Sequence, residues 1–327
     1  MLRSMDSAVA GLRAHQNKMD VIGHNLANVN TFGFKAQTYT FKEAMYQTSS
    51  ASTGGTNDAG GSNAAQYGYG TLMGTIGVDM TASTPSYVGG MNATINGEGF
   101  FMTSTKKEST GVEINTDVKT SKVDWDYTRV GQFSIDSKGY VVDGNGNFVY
   151  GFYPGTTNFD ATTGKLLAGA KLQPLRIPTA VAENGGKYTC TFGTGDTDKA
   201  LKATSVSINK LGEITATLTT DDDPPKTYAG VHVGTLALVT FQNPEGLTKS
   251  GQTYYKANEK DNTGRADATV PGGDGVASLM SGYIEASNVD LAKEFAEMIM
   301  TQRGFQANSK MITVSDEMLS ELVNMKR

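Results

Sequence analysis

The sequence predicts an α+β multidomain protein in which paired, coiled-coil-like N- and C-terminal helices accompany two mainly antiparallel β domains, the second inserted in the first. Three observations lead to this fold class. Apolar heptad repeats occupy both ends of the 327-residue chain. Short alternating segments separated by turn residues fill the interior. Glycine is frequent, at 39 residues, and only 19% of residues are charged, a composition typical of turn-rich β structure.

The N-terminal segment, residues 1–28, predicts the first helix. Its apolar residues recur at three-then-four spacing, with Gln16 and Gly23 in the gaps. An ordinary amphipathic helix on a globular core is the alternative for this segment taken alone. A second heptad pattern at the other end of the chain favours mutual pairing. The predicted seam residues are Leu2, Met5, Val9, Leu12, Met19 and Leu26.

The C-terminal segment, residues 288–327, predicts the second helix. A helix of about 35 residues would be about 50 Å long, so we expect it to pack between molecules as well as within one. Gln302, Ser309 and Asp316 interrupt its seam. These gaps predict a helix pair that is marginal alone and stable when neighbouring molecules cover it. The predicted seam residues are Leu291, Phe295, Met298, Phe305, Ile312, Leu319 and Val323.

Residues 29–66 predict a linker or arm. From Gln47 to Gln66 the chain is almost entirely Ser, Thr, Gly, Ala and Asn, with Asp58 as its one charge. This composition is typical of a flexible linker or a long hairpin-like arm. Because it has too few apolar groups to fold alone, we expect any order to come from packing against neighbours.

The first β domain is predicted to comprise residues 67–150 and 231–287. Alternating apolar residues at 131–136 and 140–143, joined by glycine-containing turns, predict an antiparallel meander. The meander and its turns account for the local pattern without any ligand site.

The run from Asp143 to Asn147 superficially resembles a calcium loop. Its sixth position is Phe148 rather than glycine, and its twelfth is Pro154 rather than glutamate. We therefore interpret the run as a turn.

Residues 151–230 predict the second β domain, with turns of its own. The acidic run at 221–223 would be the natural place for a metal. Two prolines follow the run and no histidine or glutamate lies beside it, so a solvated loop is the preferred interpretation.

Charge and composition exclude several classes of partner. The net charge of −5, with no polybasic run, argues against nucleic acid and anionic membranes. No apolar run approaches the roughly 20 residues that cross a bilayer. Charged residues interrupt the N-terminus where a cleaved secretory signal would be apolar. We therefore expect a cytoplasmic protein or one exported without a cleaved signal.

The sequence offers no residue to nominate for catalysis, a cofactor or a metal. His15 and His24 would lie on opposite faces of one helix, and His232 stands alone in a predicted strand. No phosphate-binding, dinucleotide-binding or hydrolase motif is present. Cys190 is the only cysteine, so no intrachain disulfide forms, and we expect it to act as a small buried hydrophobe. The prediction is a protein that is not an enzyme.

The run from Asn25 to Lys35 closely resembles the N-terminal signature of bacterial flagellar rod and hook proteins. Segments 281–290 and 302–308 are similar to the C-terminal motifs of that family, and 95–101 and 235–247 to its first core domain. The resemblance leaves most of 151–230 unmatched, which favours an insertion there. The signature positions are Asn25, Ala27, Asn28, Thr31, Gly33, Phe34 and Lys35.

The resemblance implies a structural subunit of the flagellar hook. The terminal helices would form the inner layer of a tube, the first β domain the middle layer and the inserted domain the outer one. The chain would polymerise with itself into a flexible universal joint that transmits motor torque. Its further partners would be rod, hook-cap and hook–filament junction proteins and the flagellar type III export apparatus, and its location extracellular.

Two other functions stay open on the sequence. A distal rod protein, a rigid drive shaft, belongs to the same family and would lack a large insertion at 151–230. A surface β-domain adhesin fits the middle of the chain but not its ends. Flagellin is less well supported, because the signature around Asn25 is of the rod and hook type.

Overall fold

A computed structural model describes residues 2–55, 60–107, 111–113, 118–120, 123–154, 158–159, 166–167, 169–184, 187–192, 200–220, 225–258, 260–273 and 276–325. Helices stand at the two ends and mostly antiparallel sheets lie between them, which confirms the predicted α+β class. Within these described ranges, no helix combines the length and apolar character needed to cross a bilayer.

The helices are α1 (Leu2–Ala27) and α2 (Leu291–Met325), and single 3-10 turns occur at Val118–Thr120 and Pro244–Gly246. The strands are β1 (Gln37–Glu43), β2 (Tyr46–Ser50), β3 (Ala65–Gly68), β4 (Thr71–Val78), β5 (Pro85–Tyr87), β6 (Ala93–Asn96), β7 (Phe100–Ser104), β8 (Val112–Glu113), β9 (Asp126–Thr128), β10 (Phe133–Ile135), β11 (Val141–Asp143), β12 (Phe148–Phe152), β13 (Lys171–Pro174), β14 (Ala180–Asn184), β15 (Lys187–Thr191), β16 (Lys202–Ile208), β17 (Glu213–Thr219), β18 (Thr227–Leu236), β19 (Leu238–Phe241), β20 (Thr248–Gly251), β21 (Tyr254–Lys256), β22 (Ala266–Thr269), β23 (Ser278–Ser281) and β24 (Tyr283–Glu285).

The chain divides into two compact units. The first, called the helical unit, contains both helices and consists of Met1–Asn30, Lys35–Asp79 and Val289–Arg327. The second, called the β unit, consists of Thr31–Phe34 and Met80–Asn288. The chain therefore passes repeatedly from one unit to the other.

The helical unit contains a long two-stranded ribbon beside its helices. Strand β1 pairs antiparallel with β4, β2 pairs with β3, and a bridge between Thr53 and Ser62 continues the pairing toward the tip. Arms of this length extend about 55 Å at roughly 3.4 Å per residue. Of the two interpretations of the arm, the structure adopts the hairpin. Residues 67–78 belong to this ribbon rather than to the first β domain, because their backbone groups pair with β1 and β2.

One large sheet organises the β unit. Among the described residues, fourteen strands join it, and its central path runs β16-β17-β18-β12-β7-β9-β21-β20. The predicted meander is present, because β10 pairs with β11 and β11 pairs with β12, both antiparallel. Buried side chains from these strands form the core, among them Phe101, Val149 and Val233.

The predicted inserted domain at 151–230 is not a separate compact unit in the structure. Strand β18 pairs with β12, and β17 pairs with β18, so these strands extend the sheet of the first β domain. Ile214 and Val231 lie in the same core cluster as Val149. Gly151 makes the junction possible, because a Cβ there would lie 2.2 Å from the Thr235 carbonyl oxygen. The acidic run at 221–223 lies outside the described residues.

Cys190 lies half-buried beside this core. Its Sγ donates a weak hydrogen bond to the His232 carbonyl oxygen at 3.9 Å. Burial raises the pKa of the thiol, which therefore stays protonated at neutral pH. These surroundings are those of a small buried hydrophobe.

Candidate assembly surface

The two helices pack antiparallel along a seam of small and polar residues. Gly11 of α1 faces Asn308 of α2, and a Cβ at Gly11 would lie 2.7 Å from the Asn308 Nδ2. His15 faces Gly304 in the same way, with its ring Cε1 2.7 Å from where a Gly304 Cβ would stand. Each glycine thus makes room for the side chain opposite it, and the two backbones approach closely.

Asn25 joins three elements at one end of the seam. Its Nδ2 donates to the Gln37 carbonyl oxygen at 2.8 Å and to Glu294 Oε1 at 3.1 Å. Its Oδ1 accepts a hydrogen bond from the Gln37 amide at 2.9 Å. The side chain therefore fixes the end of α1 against both β1 and α2.

Polar groups occupy further positions along the seam. Lys18 Nζ lies 3.1 Å from Glu297 Oε2. Thr301 is buried, and its hydroxyl donates to the Glu297 carbonyl oxygen at 2.7 Å, as Ser315 does to Met311 at 2.8 Å. These internal hydrogen bonds satisfy hydroxyls that would otherwise be costly to bury.

The predicted heptad seams do not form this contact. The buried positions of α1 include Ala8, Gly11, Ile22 and Asn25, each one residue before a predicted seam residue or a gap in the seam. In α2, Glu294, Thr301 and Ser315 are buried, again one residue before a seam residue or a gap. Val9, Leu291, Phe295, Phe305 and Val323 are exposed, whereas Met5, Leu12, Met19, Leu26, Met298, Ile312 and Leu319 are half-buried, and the side chain of Leu2 lies outside the description.

The exposed apolar residues of α2 lie on both sides of its seam. At about 100° per residue, five of them fall on one side and six on the other. The first apolar flank consists of Leu291, Phe295, Ile299, Phe305 and Val323. The second apolar flank consists of Met300, Met311, Val314, Met318, Leu322 and Met325. A helix already paired along its seam thus presents two further contact surfaces.

The ribbon packs on α1 and carries exposed apolar residues of its own. The Phe41 ring lies 5.4 Å from the His15 ring, and a Cβ at Gly70 would lie 3.0 Å from the Ser7 hydroxyl oxygen. The Arg3 guanidinium lies 5.5 Å from the Tyr67 ring centroid. The ribbon's exposed apolar residues are Phe41, Met45, Tyr46, Tyr67, Tyr69, Leu72, Met73 and Ile76.

The signature residues end α1 and redirect the chain. Asn28 Nδ2 donates to the His24 carbonyl oxygen at 2.9 Å, which satisfies an acceptor in the last turn of α1. Gly33 has a φ of +67°, and a Cβ there would lie 2.6 Å from Val130 Cγ2. Only glycine fits both conditions. Phe34 and Lys35 are buried.

Burial perturbs two titratable groups at the seam. Desolvation, reinforced by the charge of Lys18, lowers the pKa of His15. Its Nδ1 is buried with no hydrogen-bond partner among the described residues. Desolvation raises the pKa of Glu294, although the hydrogen bond from Asn25 opposes that shift. His15 is therefore held neutral at physiological pH.

We expect the helix seam to loosen as the pH falls below about 6.5, the ordinary pKa of histidine. Because the folded pKa of His15 lies below its ordinary value of 6.5, the stability that its neutral form contributes is complete above that value and is lost as the pH falls. Glu294 acts in the opposite sense and at lower pH. Hydrogen exchange at α1 and α2, corrected for intrinsic rates, measures the effect.

His15→Gln should remove most of this pH dependence. The exposed His24 on the same helix supplies the control, since His24→Gln should leave it intact. An unchanged pH profile in His15→Gln would show that another group titrates.

The described chain has no evident chemical site. No group of three His, Cys, Asp or Glu side chains within it is placed to hold a metal. Asp143 Oδ1 accepts hydrogen bonds from the Asn145 and Asn147 amides at 3.0 and 2.9 Å, the pattern of a turn. The Tyr254 hydroxyl donates to the same carboxylate.

Comparison with known families identifies the class of structural protein that this chain resembles. The model described as "Flagella basal body rod protein" matches residues 5–35, and "Flagellar basal body rod FlgEFG protein C-terminal" matches 280–325. "Flagellar hook protein FlgE/F/G D1 domain" matches 117–216, and so covers much of the segment that the sequence motifs left unmatched.

Individual relatives cover the whole chain. It is 37% identical over 328 residues to the flagellar basal-body rod protein FlgG of Bacillus subtilis, with all of both chains covered. It is 27% identical over 329 residues to FlgG of Borreliella burgdorferi. It is 26% identical over 460 residues to the flagellar hook protein FlgE of the same organism, again with both chains fully covered. The chain belongs to the flagellar rod and hook family.

Proposed function

We propose that this chain is a subunit of the flagellar rod, polymerising with copies of itself into a rigid shaft that carries motor torque outward. This is the distal-rod alternative rather than the hook, which the resemblance alone favoured. The proposal depends on two features, namely the lengths of the relatives and the two apolar flanks of α2.

The relatives' lengths support a rod protein over a hook protein. The rod relatives align over 328 and 329 residues, close to the 327 of this chain. The hook relatives align over 460 and 466 residues, so they carry many additional residues that this chain lacks. The segment 151–230 supports the same choice, because its strands β16–β18 extend the main sheet and do not form a further compact unit.

The two apolar flanks support a polymer over a closed dimer. A two-fold dimer would cover one flank on each copy and leave the other in water. Two different flanks on one helix suit a head-to-tail contact, in which one flank meets a different surface of the next copy. Such a contact repeats indefinitely when its rotation does not close a ring. The residues we assign to assembly are therefore Phe295, Phe305 and the rest of both flanks, together with the half-buried Met298, Ile312 and Leu319.

The seam and the flanks would have different mechanical roles, the seam within one copy and the flanks between copies. Small residues at Gly11 and Gly304 bring the two helices of one copy close together, so each copy presents a compact pair. Large side chains on the flanks would then bury against neighbours, at about 25 cal/mol for each Å² of apolar surface removed from water. Contacts of this kind are short-range and hold subunits at small radius against twist.

The proposed partners are further copies of this chain and the rod and hook subunits that adjoin them in the flagellum. Export as an unfolded chain through the flagellar type III apparatus, without a cleaved signal, is part of the same proposal and rests on the family. The hook-cap and hook–filament junction partners expected of a hook subunit are not part of it.

Electron microscopy of assemblies grown from the purified chain tests the choice of rod. We expect straight rods whose curvature does not change with pH or ionic strength. As a genetic control, the gene should restore motility to a strain without its rod subunit and fail in a strain without its hook subunit. Curved, supercoiled tubes with rescue of the hook strain would replace the rod with the hook.

A further inference from the structure

The seam between α1 and α2 contains two reciprocal glycine contacts, one turn apart. Gly11 receives Asn308 from the opposite helix, and Gly304 receives His15. Four residues separate the two positions on each helix, so both contacts belong to one antiparallel register. Asn25 and Glu294, which share a hydrogen bond at 3.1 Å, lie ten residues farther along each helix and obey the same register.

We propose that these two contacts form a register lock, made of Gly11, His15, Gly304 and Asn308, that fixes the axial position of α1 against α2. The proposal goes beyond the rod assignment, because it concerns pairing within one chain and does not depend on which polymer that chain builds. Its residues face one another across the seam and so act on the position of the two helices.

A lock is needed because the rest of the seam specifies register weakly. Apart from Ile22 and the Asn25–Glu294 pair, its other buried positions include small side chains such as Ala8, Thr301 and Ser315, which fit against many partners. A slip of one helical turn would shift the helices by about 5.4 Å while still placing small residues opposite small residues. Nothing in side-chain size at those positions opposes such a slip.

The His15 ring fits against only one position of α2, Gly304. Gly304 is the only glycine in the α2 sequence, so any slipped register would set the imidazole against a residue with a Cβ. The His15 ring also packs against the Phe41 ring, with the two centroids 5.4 Å apart. This second contact limits the movement of the imidazole, and its fit to Gly304 selects one register.

The register decides which residues become the contact surface. If α2 moved by one turn, Phe295 and Phe305 would stand at a different height beside α1, and neighbouring copies would meet a different profile. A fixed register thus gives every copy in a polymer the same two flanks. This explains why the seam uses small and polar residues at the expense of apolar burial.

Alanine substitution of glycines tests the lock, with a matched control in α1. Gly23 is exposed and has no atom within 4 Å of its Cβ position, so Gly23→Ala should raise hydrogen-exchange protection of the helices about fivefold through helix propensity alone. Gly304→Ala and Gly11→Ala gain the same propensity but place a methyl against His15 or Asn308. We expect both to lower protection by about tenfold or more.

A paired variant separates the lock from a general loss of folding. His15→Ala with Gly304→Ala should recover most of the protection that Gly304→Ala loses, because the methyl then faces an alanine. Trp125, the single tryptophan, lies in the β unit. Its fluorescence therefore reports whether this unit stays folded in each variant. Protection of Gly304→Ala equal to that of Gly23→Ala, or no recovery in the paired variant, overturns the proposal.

Spin-label distances test the register itself. Labels at the exposed Val9 and Met318 in a Cys190→Ser full-length chain should give one narrow distance distribution. With all four lock residues replaced by alanine, we expect additional distances displaced by about 5 Å, one helical turn. A single unchanged distance in the alanine variant, or several distances in the parent, contradicts a register lock.

Discussion

We expect Phe295→Asp combined with Phe305→Asp to weaken polymer formation strongly and to leave the chain folded. Both rings are exposed, at 49% and 38% of their surface, and both lie on the first apolar flank, away from the seam. Burying a carboxylate against a neighbour's apolar surface costs several kcal/mol. We therefore expect the critical concentration for assembly to rise by roughly 100-fold or more. Sedimentation after seeding measures it.

Arg13→Asp is the matched control for this pair. Arg13 is exposed on α1 and belongs to neither apolar flank of α2. The substitution lowers the net charge by the same two units and should change the critical concentration by less than about threefold. Normal assembly of the double aspartate variant would mean that the first flank faces solvent in the polymer, and the assignment of that flank would be wrong.

Glu285→Ala destabilises the β unit by about 3–5 kcal/mol. Glu285 and Arg129 form a buried pair, with side chains 1% and 2% exposed and Oε2 to Nη1 at 3.5 Å. Glu285 Oε1 also accepts a hydrogen bond from the Ser83 amide at 3.0 Å. Removing the carboxylate leaves a buried guanidinium without its counter-charge. Urea unfolding followed by Trp125 fluorescence gives the change in the free energy of unfolding.

An exposed ion pair in the same unit gives the comparison. Arg265 Nε lies 2.6 Å from Asp267 Oδ1, but these side chains are 64% and 50% exposed. Water screens such a pair, so Asp267→Ala should cost less than about 1 kcal/mol. Equal effects of the two substitutions would show that burial does not govern the Arg129–Glu285 pair.

The terminal helices could be predicted from the sequence, but the contact between them could not. A heptad search ranks Val9, Phe295 and Phe305 as seam residues because it scores apolar size. Packing instead followed the neighbouring stripe, where Gly11 and Gly304 allow the backbones to approach. The available signal was a glycine directly before an apolar seam residue in each helix, Gly11 before Leu12 and Gly304 before Phe305, which a search by hydrophobicity does not weigh.

The sheet was predictable strand by strand but not as a whole. Local alternation identified the meander of β10–β12, because hairpin neighbours are close in sequence. The pairing of β12 with β18 joins residues far apart in the chain. Local sequence patterns cannot predict such a long-range pairing. Turn signals within 151–230 therefore suggested a separate domain. The open interpretation of the arm was settled by ladder pairing of β2 with β3.

Family membership could be predicted because the motifs at both ends are long and specific. Rod and hook subunits share those motifs, so motifs cannot separate the two. The hook relatives are instead distinguished by additional residues that this chain lacks. Residues that are missing from a sequence cannot be recognised in it.

The order of folding follows from how the helical unit is composed. Asn25 and Glu294 share a hydrogen bond across 269 residues of sequence. The β unit needs little beyond residues 80–288, whereas α1 has no helix to pair with until α2 is available. Closing so long a loop is entropically costly unless the intervening chain has already become compact. We therefore expect the β unit to fold first and to bring the two ends together, so that the apolar flanks form last.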